Sequence, residues 1–211
     1  MDVLALVKSA FALFAIVDPV GVIPIFLLAT RGYTLAQSHA AARIAALTVL
    51  GVLTLFIFAG EPLLMFFGIR LAAFAVAGGL LLLLLALSMV EAHVSPQRQT
   101  EDEAQEAEEK DSVGVVPLGV PLLAGPGAIT HVIVASGAAQ GDVLHQGLLL
   151  IPVALVALSV WLAFRAAPMI ARRLGKTGID VVTRLMGLII AAISIEMIAS
   201  GLVKLFPGLL A

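Results

Sequence analysis

Long apolar runs separated by short polar connections dominate the pattern of hydrophobic positions along this chain. A helix that crosses a lipid bilayer requires about 20 mostly apolar residues. Six stretches fit this description, at residues 3–30, 44–60, 71–90, 112–141, 146–164 and 185–203. The pattern therefore predicts an all-α membrane protein with six transmembrane segments, numbered here 1 to 6 in chain order.

Segments 1 and 4 are longer than a single crossing requires. At about 1.5 Å rise per residue, a continuous helix over residues 3–30 would be about 42 Å long, against a hydrocarbon core of about 30 Å. Both segments carry proline and glycine near their middle, in "DPVG" (Asp18 to Gly21) and "AGPG" (Ala124 to Gly127). We therefore expect both to be discontinuous, either as broken spanning helices or as re-entrant hairpins.

The two halves of the chain carry matching landmarks, separated by 106 to 108 positions. They are Pro19 and Pro126, Pro62 and Pro168, Gly79 and Gly187, and Met89 and Met197. This spacing predicts one membrane domain over 1–211, with a first repeat at 3–92, an acidic flexible linker at 93–112 and a second repeat at 113–206. Three segments per repeat would invert the second half. In inverted-repeat transporters, the interrupted segments meet near the bilayer midplane and form the binding site.

Composition agrees with a membrane location. The chain is 61% hydrophobic and 12% charged, whereas soluble domains are about 45–50% apolar and about 25% charged. The absence of cysteine excludes a disulfide framework and thiolate metal sites. A net charge of −2 without a basic stripe argues against a nucleic-acid partner. We expect the bilayer and a small molecule as partners and no metal or other cofactor, and a homo-oligomer remains possible.

The distribution of basic residues predicts the orientation. If all six segments span, nine Lys and Arg lie on the side of the loops after segments 1, 3 and 5, and three lie on the other side. The basic side is expected to be cytoplasmic, which puts both termini outside. A re-entrant segment 1 or 4 would overturn this count. The N-terminus lacks a cleavable signal pattern and is expected to be retained as segment 1.

The second break has the composition of an anion site. Pro126 suits the first position of a helix and Gly125 suits its cap. The backbone N–H groups that follow then lack acceptors within the helix and lie at the positive end of its dipole. A packing kink is the alternative, because small residues let helices approach closely. The candidate site residues here are Gly125, Pro126, Gly127, Ala128 and Thr130, with the N–H groups of Gly127, Ala128 and Ile129 as donors and His131 as an ion-coupling candidate.

The first break contains a charge. Asp18 is expected to cap a half-helix that Pro19 begins, while Pro24 loosens the start of that helix. An acid deep in an apolar segment usually faces a cavity and serves transport. The candidate site residues are Asp18, Pro19 and Gly21. Glu196, the second acid inside a segment, is expected to face the cavity, although a structural contact to a nearby serine is an alternative. Asp18, Glu196 and His131 are therefore the candidates for ion coupling.

Four stretches, "DPVGVIPIFL", "GGLLLLLLALSM", "PLLAGPGAIT" and "RLMGLIIAAISIEMIASGL", resemble the MarC family of bacterial and archaeal inner-membrane proteins. The resemblance implies six segments in an inverted repeat, with discontinuous helices 1 and 4 around the substrate. It also implies a multi-pass protein of the bacterial or archaeal cytoplasmic membrane. The SnatA-type members of the family transport small neutral amino acids such as glycine and alanine. This chain departs from the family pattern at Asp18, Val22 and Glu196, where Asn, Asn and Gln are common.

The sequence as a whole favours a secondary transporter of small neutral amino acids, driven by a proton or sodium gradient. The amides of Gly127 and Ala128 would bind the substrate carboxylate, and Asp18 would bind its ammonium group. An exporter of other small molecules and a membrane protein without transport activity remain the alternatives. ATP coupling is not expected, because the chain has no phosphate-binding GxxxxGK[ST] loop. An enzyme is not expected either, because the chain has no HExxH zinc motif and no evident nucleophile–base set.

Overall fold

The computed structural model describes residues 3–91, 123–137 and 143–207, and within these ranges the chain is helical with no strand. This confirms the predicted all-α class. The predicted linker at 93–112 and the first part of segment 4 lie outside the described residues. The helices are α1 (Val3–Val17), α2 (Ile23–Ala29), α3 (Leu35–Phe66), α4 (Leu71–Glu91), α5 (Pro126–Gly137), α6 (Val143–Leu148), α7 (Leu150–Arg165) and α8 (Ala167–Leu205).

Four stretches of the described chain are long and apolar enough to cross a membrane, namely Leu35–Phe66, Leu71–Glu91, Gln146–Arg165 and Ala167–Leu205. They correspond to predicted segments 2, 3, 5 and 6, but two of them extend well beyond the predicted bounds. Helix α3 begins at Leu35, where the Thr34 side chain accepts from the N–H of Gln37 and Gln37 Oε1 accepts from the N–H of Thr34. This reciprocal cap starts the helix several residues before its apolar stretch.

The basic stretch between segments 5 and 6 is also helical, and not the loop that the sequence analysis expected. The stretch named α8 begins at Ala167 and consists of two helical parts joined by a kink at Gly175, whose φ of 63° and ψ of −177° are not helical. Hydropathy marks only the part of a helix that lies in hydrocarbon, whereas backbone hydrogen bonding continues wherever the sequence allows it. Helix ends beyond the apolar core were therefore not visible in the hydrophobic pattern.

Glycines bring α4 and α8 into close antiparallel contact. A Cβ on Gly79 would lie 3.0 Å from the carbonyl oxygen of Ser194, and a Cβ on Gly187 would lie 3.0 Å from the carbonyl oxygen of Ala86. Farther along the interface, a Cβ on Gly201 would lie 2.8 Å from the carbonyl oxygen of Ala72. Small residues that allow backbones to approach are the usual basis of helix packing in membranes.

Helix α5 lies against α3 and α4, and α1 lies against α7. The Ser136 hydroxyl donates to the Ile57 carbonyl at 2.6 Å, and the side chain of Ile133 fills the space beside Gly60. These contacts fix the position of α5, and with it the position of the second break.

Candidate functional site

The first break is a non-helical turn between α1 and α2, and it confirms that segment 1 is discontinuous. Residues 18–22 are not helical, and Asp18 has a φ of 43°. Aspartate and asparagine enter this left-handed region more readily than other side chains. Asp18 is only 1% exposed, and its Oδ1 accepts from the N–H of Gly21 at 3.1 Å. The carboxylate is thus buried and held against its own turn.

The start of α2 corrects two details of the prediction. Pro19 lies in the turn, and the half-helix begins at Ile23 with Pro24 in its first turn. The residue before the helix is Val22, without a side-chain cap, so Asp18 caps the turn and not α2 itself. The physical reason is Pro24, which has no N–H and fits without loss only where a helix begins.

Gly21 lies between Asp18 and Thr183, a residue of α8 that was not among the predicted site residues. A Cβ on Gly21 would collide with Oδ2 of Asp18 and would lie 2.7 Å from Oγ1 of Thr183 on α8. Thr183 lies just before predicted segment 6, in the stretch that the hydropathy pattern predicts to be a loop. Nothing in its local sequence distinguishes it from an ordinary interfacial threonine.

The second break begins α5 as predicted. Pro126 is the first residue of the helix, and the preceding Gly125 is not helical. The N–H of Ile129 donates to the Gly125 carbonyl at 3.1 Å, so Ile129 is not one of the expected free donors. The donors that remain in the first turn are the N–H groups of Gly127 and Ala128, both of which are buried.

Gly127 also has a packing role, which the sequence analysis treated only as an alternative. The side of Gly127 where a Cβ would stand is filled by the side chain of Leu82 on α4. The same point lies 3.4 Å from Cγ2 of Ile16, two residues before Asp18. The lack of a Cβ at Gly127 therefore lets Leu82 of α4 pack on this side, and the last turn of α1 lies beside the first turn of α5.

Thr130 and His131 make contacts within and between the helices. Thr130 Oγ1 donates to the Pro126 carbonyl at 2.8 Å, and the Thr130 side chain packs onto Gly78 of α4. Its hydroxyl proton is thus directed to its own helix. His131 Nε2 lies 3.4 Å from Ser9 Oγ, a contact that joins α5 to α1.

Glu196 lies on the exposed surface of α8, which corrects the expectation that it faces a cavity. Residues two apart on a helix point about 200° apart, and Ser194 is fully buried in the α8 face that contacts α4. Glu196 is consequently turned away from α4. It is also about 20 Å along the helix from Thr183, at 1.5 Å per residue. Asp18 and Glu196 do not belong to one site.

Over the ranges 3–91, 123–137 and 143–207, no group of three or more His, Asp or Glu side chains could hold a metal ion. The polar groups near the breaks include the buried carboxylate of Asp18, the hydroxyl of Thr183 and the backbone amides of Gly127 and Ala128.

These features define a multi-pass, all-helical integral membrane protein with a broken helix at a buried acid. The chain belongs to the MarC family: the family model described as "MarC family integral membrane protein" matches residues 3–206.

Similar proteins occur in bacteria and archaea. The UPF0056 membrane protein YhcE of Escherichia coli is 40% identical over 203 residues, which cover 96% of this chain and 94% of that protein. The UPF0056 membrane protein YvbG of Bacillus subtilis is 38% identical over 207 residues, covering 97% of each chain. The UPF0056 membrane protein MJ1677 of Methanocaldococcus jannaschii is 36% identical over 202 residues, covering 96% of this chain and 98% of that protein. No solved structure matches the chain.

Proposed function

We propose that the protein is a secondary active transporter of small neutral amino acids of the glycine and alanine class, and not an enzyme. The observation that carries the proposal is that the end of α1, which leads into the first break, lies beside the first turn of α5, which follows the second. Ile16, just before Asp18, lies beside Gly127 in the first turn of α5. In transporters built from broken helices, such breaks meet and form the substrate site.

Each charged end of a zwitterionic amino acid has a complementary group in this arrangement. Asp18 would accept hydrogen bonds from the substrate ammonium, as a carboxylate does from any cationic donor. The amides of Gly127 and Ala128, at the positive end of α5, would bind the substrate carboxylate. Both groups are buried, so entry of a substrate requires a movement that separates α4 or α8 from the breaks.

We further propose the six-segment inverted repeat, with both termini outside the cytoplasmic membrane and H⁺ or Na⁺ as the coupling ion. The equivalent contacts of Gly79 and Gly187 support it. Residues Ser194 and Ile198 border Gly79, and residues Ala86 and Val90 border Gly187. The two pairs of neighbours are themselves 108 positions apart, as a two-fold relation between repeats requires.

Transport by the purified protein in proteoliposomes tests the proposal. Uptake of labelled glycine, alanine and serine is measured under an imposed H⁺ or Na⁺ gradient, with empty liposomes as the control. We expect gradient-driven uptake of glycine and alanine. Phenylalanine and tryptophan should compete poorly, because both break motifs consist mainly of Gly, Ala, Val and Pro and neither contains an aromatic residue. Absence of uptake under both gradients would contradict the proposal.

A further inference from the structure

The space beside Gly21 is bordered by two oxygen-bearing side chains from different helices. Thr183 Oγ1 lies 2.7 Å, and Asp18 Cγ 2.8 Å, from the point where a Cβ on Gly21 would stand, and Asp18 Oδ2 is closer still. Gly21 does not adopt a positive φ, unlike Gly32, Gly68 and Gly175. Its backbone conformation therefore does not require glycine. The neighbouring carboxylate and hydroxyl are what exclude a side chain here.

The Thr183 hydroxyl differs from three buried hydroxyls elsewhere in the structure, one of which lies farther along α8. Thr30, Thr130 and Ser194 each donate to a carbonyl three or four residues earlier in their own helix. This is the common way to satisfy a hydroxyl in an apolar setting. In the part of the chain that the structure describes, Thr183 makes no such bond, and it is only partly buried, as is Gly21. Its oxygen is thus available beside the carboxylate of Asp18.

From this juxtaposition we propose that Thr183 and Asp18 together bind a cationic group, with Gly21 as the spacer that keeps their oxygens close. A hydroxyl oxygen has two acceptor lone pairs and a carboxylate has about four, so the pair can receive the N–H groups of an ammonium. The same hard oxygens suit an alkali cation. The cationic group is either the substrate ammonium or a Na⁺ ion, and the experiment separates the two.

This inference rests on the proposed transport function for its substrate, but its structural content is independent of it. Thr183 is on α8, whereas Asp18 is on the turn between α1 and α2. A cation bound by both would draw α8 towards that turn. Thr183 is therefore a positioning and binding residue that links occupation of the break to the position of α8.

The first test compares Thr183→Val, which removes the hydroxyl at constant shape, with Thr183→Ser, which keeps it. We expect Thr183→Val to raise the KM for glycine or for Na⁺ about tenfold, the effect of losing one hydrogen bond to a charged group. Thr183→Ser should stay within about twofold of the original protein. Thr177→Val is the matched control, because Thr177 is an exposed threonine on the same helix. Equal KM values for Thr183→Val and the control would overturn the proposal.

A second test does not depend on transport. Because the chain has no cysteine, Thr183→Cys carries a single thiol, and its alkylation rate by N-ethylmaleimide reports occupation of the site. The rate is measured with glycine in choline buffer, with Na⁺ alone and with choline alone. We expect at least about a threefold slowing by glycine or by Na⁺, and loss of that slowing when Asp18→Asn is added.

The exposed Thr177→Cys thiol should react at the same rate in all three buffers. Slowing by glycine alone identifies the ammonium group as the ligand, and slowing by Na⁺ alone identifies the alkali cation. A Thr183→Cys thiol that does not react, or that reacts equally under all conditions, overturns the inference. Slowing by Na⁺ in a protein that transports no amino acid would overturn the proposed function and leave the cation pair standing.

Discussion

Gly79 and Gly187 make the same contact from opposite sides of the α4–α8 interface, each facing a carbonyl oxygen of the other helix at 3.0 Å from its missing Cβ. Neither carbonyl can move without displacing its helix. The two glycines consequently set the distance between α4 and α8, the helix that carries Thr183. Each half of the chain thus contributes one glycine that faces a backbone carbonyl of the other half.

The first prediction follows from this contact. Gly79→Ala and Gly187→Ala should each destabilise the protein by about 1–3 kcal/mol, the usual cost of overpacking a close interface. Gly79→Ala should lose more stability, because its Cβ would also lie 2.6 Å from Cγ1 of Ile198, whereas no atom of the described residues lies closer than 3.0 Å to the Cβ position of Gly187. Gly51→Ala on α3 is the control, since nothing lies within 4 Å of its Cβ position. Thermal unfolding in detergent provides the measurement, and no loss of stability in either interface variant would contradict the close contact.

Replacement of Asp18 by asparagine separates its structural role from its charge. The asparagine side chain would still accept from the Gly21 N–H and would tolerate the positive φ of this position. We expect Asp18→Asn to fold with near-normal thermal stability. Asp18→Leu should be destabilised by about 1–3 kcal/mol, because leucine can neither cap the turn nor adopt this φ readily. Equal melting temperatures for the two variants would contradict the capping role.

The asparagine variant also tests ion coupling. If Asp18 binds the coupling ion, uptake by Asp18→Asn should lose its dependence on external pH or Na⁺ at fixed membrane potential. His131→Gln should retain that dependence, because the hydrogen-bonding contact of His131 is with Ser9 on α1. An unchanged dependence in Asp18→Asn would restrict Asp18 to its role as a cap and redirect the search to His131 and Glu196.

Gly21 should tolerate no side chain. In Gly21→Ala the new methyl group would displace the Asp18 carboxylate or the Thr183 hydroxyl, and we expect at least about a tenfold loss in uptake efficiency, corresponding to about 1.4 kcal/mol. Gly147→Ala serves as the control, since its Cβ position is open. Uptake by Gly21→Ala at the level of the control would show that the spacing of the two oxygens is unimportant.

The packing role of Gly127 can be measured by a double-mutant cycle. Gly127→Ala alone should destabilise the protein, because the methyl group meets Leu82. Adding Leu82→Ala removes that obstacle, so the double variant should be more stable than the sum of the single changes by about 0.5–3 kcal/mol. Additive losses in a thermal unfolding assay would mean that Leu82 does not limit the space at Gly127.

Much of the architecture was predictable from the sequence by itself. The length and polarity of the apolar stretches determine a multi-pass membrane protein, because hydrocarbon admits only long apolar helices or closed barrels. The proline and glycine pairs indicate where segments 1 and 4 break, because proline fits without loss only in the first turn of a helix. They do not fix the exact start, since α2 begins at Ile23 and not at Pro19, and Pro62 is accommodated inside α3. These are local constraints, and local sequence expresses them directly.

The tertiary structure alone decided which helix faces point inwards. Lipid tails are as apolar as a leucine-rich interior, so hydrophobic periodicity does not separate a buried face from a lipid-facing one. The sequence therefore predicts that Glu196 faces a cavity, whereas the packing of α8 on α4 places it on the exposed face of α8. The position of Thr183 beside Asp18 and Gly21 was likewise not predictable from the local sequence, because Thr183 and Asp18 are 165 positions apart in the chain.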